Sequence, residues 1–397
     1  MKYTLLYIYV AVGMLTIASC SKDDDVSTAV PETPSAVDSP ESDDTRVSWR
    51  ANALTPEDLK QVEDAVDAIR GAGYTYRDNS SYCVGTDMEV FNTRNLRDME
   101  KKYNTSYLID DYMPVTSQKF FYSESEKGLK DSLAVDVGIG LDAGVFSFDV
   151  DVAFNKKNIS TTKNYYSMMR MKQSYFSRDL NYLNLREQVA EAIAASKIAS
   201  TYPSMDAAEL AKQVPFFKEA YAPGFADVMQ QFVRKIHAAS SAYAASGICR
   251  EFIEEVGPSF VTRSVLGCSL EYYNATNMDS VATSLDVKVA LEVTVQIKFI
   301  TIGASLSTEY HDAAMKCSRN SVSHITARGG DLALVTAFTT GQDATLDVNT
   351  LNDWQKSVTP RDAALIDIRL VPIYEVIYDA KTRDILRRYM NKSLGNF

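Results

Sequence analysis

One residue in this sequence carries an evident reaction. Cys20 follows Ile17-Ala18-Ser19, and ahead of these lie Lys2 and an apolar stretch from Leu5 to Ile17. Small residues before a cysteine are what lipoprotein signal peptidase requires, and the thiol is then the site of thioether acylation. The apolar stretch is short of the roughly 20 residues that a spanning helix needs, so it reads as a signal peptide. An ordinary signal peptide beside a chance cysteine is the alternative. Elsewhere the chemistry is sparse. His237, His311 and His324 fall in no metal-ligand spacing, and no GxSxG, HExxH or P-loop occurs. Acids are too numerous to single out a catalytic pair. Gly138, Gly140 and Ala143 fit a GxGxxG/A dinucleotide fingerprint, but that motif must open a helix, and the residues after it keep a period of two. The sequence therefore predicts no enzyme, no metal and no cofactor.

Behind Cys20 comes Ser21-Lys22-Asp23-Asp24-Asp25 and a Pro-, Ser-, Thr- and acid-rich stretch to about Thr45. It has little to bury and much charge, which makes it a flexible tether. The expected division is a signal peptide at 1–19, a tether at 20–48 and one folded domain at 49–397. The whole chain carries a net charge of -11, and the body from Arg46 onward about -5, with no basic stripe. A nucleic-acid partner is excluded on that ground, since nothing could displace counterions from phosphates. Four cysteines remain beside the acylated one: Cys83, Cys249, Cys268 and Cys317. In an oxidising compartment they allow three fully paired connectivities. A Cys268–Cys317 bond would clamp the base of segment 275–310, and buried thiols are the other possibility.

The elements that must carry these residues follow from patterning. Thr55-Pro56-Glu57-Asp58 reads as a helix start, with the helix running to about Arg70. A helical region is expected from about Arg186 to Glu255, broken at Pro203, Pro215 and Pro223, with core faces at Val189, Ile193 and Ile198 and at Phe225, Met229, Phe232 and Ile236. Strands are expected near 119–122, 165–182, 260–273, 322–336 and 364–378. Long strands separated by helical blocks, without βαβ alternation, predict an α+β fold on one large antiparallel sheet.

Two segments alternate strictly. In the first, Leu133, Val135, Val137, Ile139, Leu141, Ala143 and Val145 are apolar on odd numbers, and the phase then flips to Phe146, Phe148, Val150, Val152 and Phe154. In the second, Leu285, Val287, Val289, Leu291, Val293, Val295, Ile297 and Phe299 give way to Ile300, Ile302, Ala304 and Leu306. Each half approaches the 9 to 11 residues of a membrane barrel strand, apolar toward lipid and polar toward water. A half-exposed sheet in a soluble protein has the same period. Four strands from one chain cannot close a wide barrel, so the membrane reading requires a homo-oligomer.

The stretch from Glu251 to Cys268 resembles the signature of the membrane attack complex/perforin (MACPF) family. Gly257, Phe260 and Gly267 match it, whereas Val256, Pro258, Ser259 and Cys268 depart. Further pieces fall in the family's order: Ile69-Arg70-Gly71-Ala72-Gly73-Tyr74, then Met88 to Asn92, Arg328-Gly329-Gly330-Asp331, Trp354 and Ser357, and Leu370 to Glu375. The resemblance implies a bent, four-stranded antiparallel sheet flanked by helical clusters. It also implies that the two alternating segments are helical in the monomer and become membrane hairpins in a ring, so it predicts helix where periodicity predicts strand. Gly267, Gly329 and Gly330 are the expected hinge positions, and a plain bulge or turn is the alternative for the last two. The acidic start after Cys20 resembles the surface-export signal of Bacteroidota lipoproteins, which would place the domain outside the outer membrane.

The resemblance implies a pore-forming protein, an antibacterial toxin as in similar Bacteroidota proteins, whose partners are a target membrane lipid or surface receptor. A non-lytic adhesin on the same fold is the alternative, favoured by a chain that ends about 20 residues after the closing strand, without a separate targeting domain. Cys20→Ala is expected to abolish lipid labelling and to move the protein out of the membrane fraction, because the acyl chains supply the anchorage. Unchanged retention would contradict lipidation.

Overall fold

A 19-residue run of β-branched, aromatic and small residues, Ser259–Asn277, forms the axis of the fold. The computed structural model describes residues 60–61, 71–77, 86–112, 115–136, 150, 153–154, 163–277, 279, 287–299, 316–317, 319, 321–331, 333–334, 348–359 and 362–393. Its strands are β1 (Tyr74–Tyr76), β2 (Thr86–Glu89), β3 (Leu108–Asp111), β4 (Val115–Ser123), β5 (Asn164–Leu180), β6 (Ser259–Asn277), β7 (Ser321–Arg328) and β8 (Ala364–Pro372). All pairings are antiparallel. They make four long rows. β3 and β4 together flank β5, β5 flanks β6, and β7 and β8 together flank the far side of β6. This is the expected α+β architecture.

Helices fill the gaps between strands: α1 (Thr93–Tyr103), α2 (Glu126–Asp136), α3 (Tyr182–Ala194), α4 (Ala207–Gln213), α5 (Pro215–Ala220), α6 (Pro223–Ala238), α7 (Ala242–Val256), α8 (Val287–Phe299), α9 (Val348–Lys356) and α10 (Ala380–Ser393). Pro215 and Pro223 open helices instead of interrupting one, since a proline at the first position lacks only an N–H that has no intrahelical partner. Val189, Ile193, Phe225, Met229, Phe232 and Ile236 are buried as their periodicity predicts. They form a second core with Phe91, Tyr221 and Phe252. Of the helix expected over 55–70, only residues 60 and 61 are described, and they are helical.

Two expected strands end early, and one open alternative is decided. The strand expected over 364–378 stops at Pro372, where Ile373–Val376 form a 3-10 helix. The strand expected over 322–336 ends at Arg328, because Gly329 and Gly330 both take φ of +73° and turn the chain out of the sheet. The Cys268–Cys317 disulfide is absent. Cys268 is buried in the main core, whereas Cys317 packs in a satellite cluster with Ala290. Burial pushes the Cys249 and Cys268 thiols up to about 12. Cys83 lies outside the described residues.

The helical layer is pinned through Asp379. This buried carboxylate accepts from the Thr382 backbone N–H at 2.7 Å, capping the first turn of α10, and from the Tyr202 hydroxyl, and lies 3.1 Å from His237 Nε2. Burial alone would raise its pKa, but the hydrogen bonds from Thr382, Tyr202 and His237 win and hold it below the ordinary 3.8. A lowered folded pKa contributes stability that is present above the unfolded value and lost as pH falls through the folded one. Asp379→Asn is therefore expected to lower stability by about 1–2 kcal/mol near pH 6. The gap to wild type should narrow as pH falls below 3.8, as measured by denaturant midpoints across pH.

Candidate functional site

All four rows of the sheet change along one transverse line. In the first row β3 ends at Asp111 and β4 begins at Val115, opposite Ser177 and Ser174 of β5. In the second, β5 shifts register between Ser174 and Phe176, which leaves Tyr175 as the extra residue of a bulge. In the third, Gly267 pairs with Ser174. In the fourth, β7 ends at Arg328 opposite Ser269, and β8 begins at Ala364 opposite Gly267. A bulge bends its strand and sharpens the local twist, and here the neighbouring rows are interrupted at the same level.

Glycine at these positions answers a steric need. A Cβ on Gly267 would lie 2.0 Å from the Gln173 carbonyl oxygen, and one on Gly329 would lie 2.4 Å from the Gly267 carbonyl oxygen. Helix α9 closes the line. The Trp354 indole donates to the Gly329 carbonyl at 2.8 Å, the Asp331 N–H donates to the Ser357 hydroxyl at 2.8 Å, and the Tyr175 hydroxyl donates to the Gln355 carbonyl at 2.9 Å. An ion pair also crosses the line, from Lys172 Nζ of β5 to Asp367 Oδ2 of β8 at 3.0 Å. Trp354 and Ser357, singled out by resemblance, belong to α9 and the residue just after it.

The signature residues occupy the junction of the two cores. Gly257 ends α7 at φ +88°, where a Cβ would meet the Tyr76 carbonyl at 2.8 Å. The Arg77 guanidinium donates to the Glu254 carbonyl at 2.8 Å and to the Glu255 carbonyl, covering the last turn of α7. Phe260 is fully buried between Phe91 and Tyr182, with centroid distances of 6.0 and 5.3 Å.

The alternating segments are helical where they are described. Val287, Val289, Leu291, Val293, Val295 and Ile297 all lie within α8. Among its described side chains Ala290, Leu291, Thr294 and Val295 are buried, two from each phase of the strand pattern. The Thr294 hydroxyl is satisfied inside the helix by the Ala290 carbonyl at 2.6 Å. In the first segment Leu133 and Val150 are buried and Val135 is 64% exposed. Phe154 packs on Tyr166 and Tyr273, while Ala290 packs with Cys317 and Tyr165. Tyr165 and Tyr166 are adjacent on β5 and point to opposite faces, so Phe154 and Ala290 lie against opposite faces of the sheet. Cys20, Val137, Ile139, Leu141, Phe146, Phe148, Val152, Ile300 and Ile302 lie outside the described residues, as does His311.

A cross-strand charge row escaped the sequence reading. Lys119, Arg170 and Glu271 are direct register partners on β4, β5 and β6. Arg170 Nε donates to Glu271 Oε1 at 2.9 Å, and the Tyr273 hydroxyl donates to Glu271 Oε2 at 2.9 Å. Burial pushes the Glu271 carboxyl up, but Arg170 and Arg328 outweigh it and hold its pKa below the usual range. Burial lowers the pKa of His324, two residues along the same face. Among the described residues no cluster of His, Cys, Asp and Glu could hold a metal.

The domain profile described as MAC/Perforin domain matches residues 132–395, most of the chain. The chain belongs to the MAC/Perforin family. This is a family of pore-forming proteins that assemble on membranes. Among solved structures, the fold is similar to GNIP1Aa from Chromobacterium piscinae, at 15% identity and a TM-score of 0.57, covering 82% of this chain and 55% of that one. It is also similar to a MAC/Perforin-domain protein of Bacteroides thetaiotaomicron VPI-5482, at 12% identity and a TM-score of 0.50, covering 82% and 60%. The MAC/Perforin chain thus spans less than two thirds of either structure. No curated protein sequence matches it.

The steric account of the transverse line separates three glycines. Gly267→Ala must displace backbone and is expected to destabilise by about 3 kcal/mol, with Gly329→Ala at about 1–3 kcal/mol for its left-handed φ and close contact. Gly247→Ala, in α7 with nothing within 4 Å of the new methyl, should stabilise by about 0.5–1 kcal/mol. Denaturant midpoints of the three variants check the order.

Proposed function

We propose that the protein is a pore former, anchored at the outer membrane through acylated Cys20 and exposed at the cell surface. In this reading it assembles into a ring on a target membrane, and segments 133–154 and 285–306 cross that membrane as β-hairpins.

One observation carries this reading. Register partners share a face, so Lys119, Arg170, Glu271 and Thr326 lie on one face of β4, β5, β6 and β7. That face is odd-numbered on β4 and β6 and even-numbered on β5 and β7. If each strand runs on without a slip, β4 leads into residues 133–145, apolar on odd numbers, and β5 is entered from 146–154, apolar on even numbers. β6 leads into 285–299, apolar on odd numbers, and β7 is entered from 300–306, apolar on even numbers. Four separate phases thus agree on one face. A one-residue slip in any strand would turn its apolar set to the other side, so the agreement is what a continuous barrel wall needs and what unrelated amphipathic segments have no reason to keep.

The outer edges of β4 and β7 meet no further strand among the described residues. Such edges are templates for pairing with another copy, and closure removes them. Helix α8 stores a Val- and Ile-rich sequence whose strand propensity exceeds its helix propensity, which favours the extended state once lipid takes the apolar face.

The cleanest test is Val135, which is exposed in the monomer, so arginine there spares folding. In a lipid-facing barrel strand Val135→Arg would cost about 1–2 kcal/mol per subunit, less than at the midplane because Val135 is near the start of the strand, and a ring multiplies that cost by its subunits. Dye release from liposomes is expected to fall at least a hundredfold, with unchanged thermal unfolding. Lys288→Gln, on the polar phase of the second segment and exposed, should release dye as wild type does. A folded Val135→Arg protein that lyses normally would contradict the hairpin assignment and favour the adhesin.

A further inference from the structure

We infer that the carboxylate of Asp136 is the clasp that holds the first alternating segment on the sheet, and that its departure from Lys119 and Arg170 is the step that frees this segment. The second half of the statement rests on the pore-forming reading, and the first half does not.

Asp136 is the last residue of α2 and the fourth residue of the alternating segment, so it stands where the segment meets the sheet. Its carboxylate pairs with Lys119 Nζ of β4, and its Oδ2 lies 3.8 Å from Arg170 Nη1 of β5. Arg170 in turn is paired with Glu271 of β6, which Arg328 of β7 also faces, so Asp136 adds a carboxylate from the helix to a charge row that runs across the strands. Arg170 and Glu271 are 2% and 4% exposed. At that depth the loss of the Asp136 carboxylate takes negative charge away from beside the buried Arg170 guanidinium, and removing one partner of a buried charge is costly. The Arg170–Glu271 pair is between register neighbours and persists whatever the helix does. Asp136 alone among these charged residues is not on a strand.

The same residue has a second position waiting. It belongs to the polar phase of residues 133–145, together with Asp142 and the small residues Ala134, Gly138, Gly140 and Gly144. In an extended strand Asp136 would leave the face of Arg170 and turn to the watery side. One carboxylate is thus used in both arrangements, against Lys119 and Arg170 in one and against water in the other. Apolar contacts of Leu129 and Leu133 also hold α2, but these residues do not change from a paired to an unpaired charge when the helix lifts.

The test reads the helix itself and lysis separately. Amide hydrogen exchange is measured on the full monomer without membrane, with β5 and β6 amides as internal reference. Asp136→Asn is expected to speed exchange over residues 129–136 about tenfold and leave β5 and β6 unchanged, whereas Asp136→Glu keeps wild-type exchange. Lys119→Met, at a half-exposed position, should act in the same direction and serves if Asp136→Asn does not fold. Dye release from liposomes should begin earlier with Asp136→Asn and Lys119→Met than with Asp136→Glu. Wild-type exchange in both neutralised variants would overturn the clasp. Faster exchange with an unchanged onset of lysis would overturn its role as the releasing step. Faster exchange with no lysis by any variant or by wild type would leave the clasp standing and refute the pore-forming reading instead.

Discussion

The approach of the β5 backbone to Gly267 is the constraint on which the other features depend. With the Gln173 carbonyl 2.0 Å from where a Cβ would sit, β6 can pass the bulge at Tyr175 only as glycine. The same crowding continues to Gly329, whose own Cβ site is filled by the Gly267 carbonyl. Two strands therefore end or begin at each flank, and the resulting corner is closed from outside by Trp354, Ser357 and Tyr175. These three contacts join α9 to the bulge on β5 and to the glycine corner after β7. A sheet built this way has one line at which all four rows are interrupted together, whereas the further register shifts, of β6 against β8 at Val261/Arg263 and of β1 against β2 at Tyr74/Tyr76, each involve a single pair of strands.

Helix α8 shows how one sequence serves two structures. As a strand, its odd residues form an apolar face and its even residues a polar one. As a helix, it buries 290, 291, 294 and 295, and this works because the polar-phase members of that stripe are alanine and threonine, small enough to bury and able to satisfy their own polar groups. Lys288, on the same polar phase but off the stripe, is exposed. Among the described members of the polar phase, the small residues Ala290 and Thr294 are buried, while Lys288 is exposed and Glu292 half-buried. A sequence required to make only a helix would have no reason to alternate, and one required to make only a sheet would not need Ala290 and Thr294 where they are.

Local pattern made the helical layer legible. Caps, prolines and the 3.6-residue period of Phe225, Met229, Phe232 and Ile236 are decided within a few residues of each other. The long strands were legible for the same reason. The helical state of 287–299 was not, since its period of two points to a strand, and only the family resemblance pointed to helix. The charge row of Lys119, Arg170, Glu271 and Asp136 was hidden because it depends on register between segments as far apart as 101 residues, which no local period encodes. Trp354 was visible as a residue but its role was not, because its indole donates to a carbonyl 25 residues earlier in the chain. Gly267, Gly329 and Gly330 were singled out by resemblance, and their common line required the register.

The central claim is that the alternating segments exchange helix for strand without losing phase. A scan of single cysteines from 286 to 298, each carrying an environment-sensitive dye and read first in solution and then on liposomes, tests it most directly. The account predicts a helical pattern in solution, with 290, 291, 294 and 295 shielded. On membranes it predicts strict alternation, with the dye in lipid at every odd position and in water at every even one. Persistence of the helical pattern on liposomes that have released their contents would contradict it.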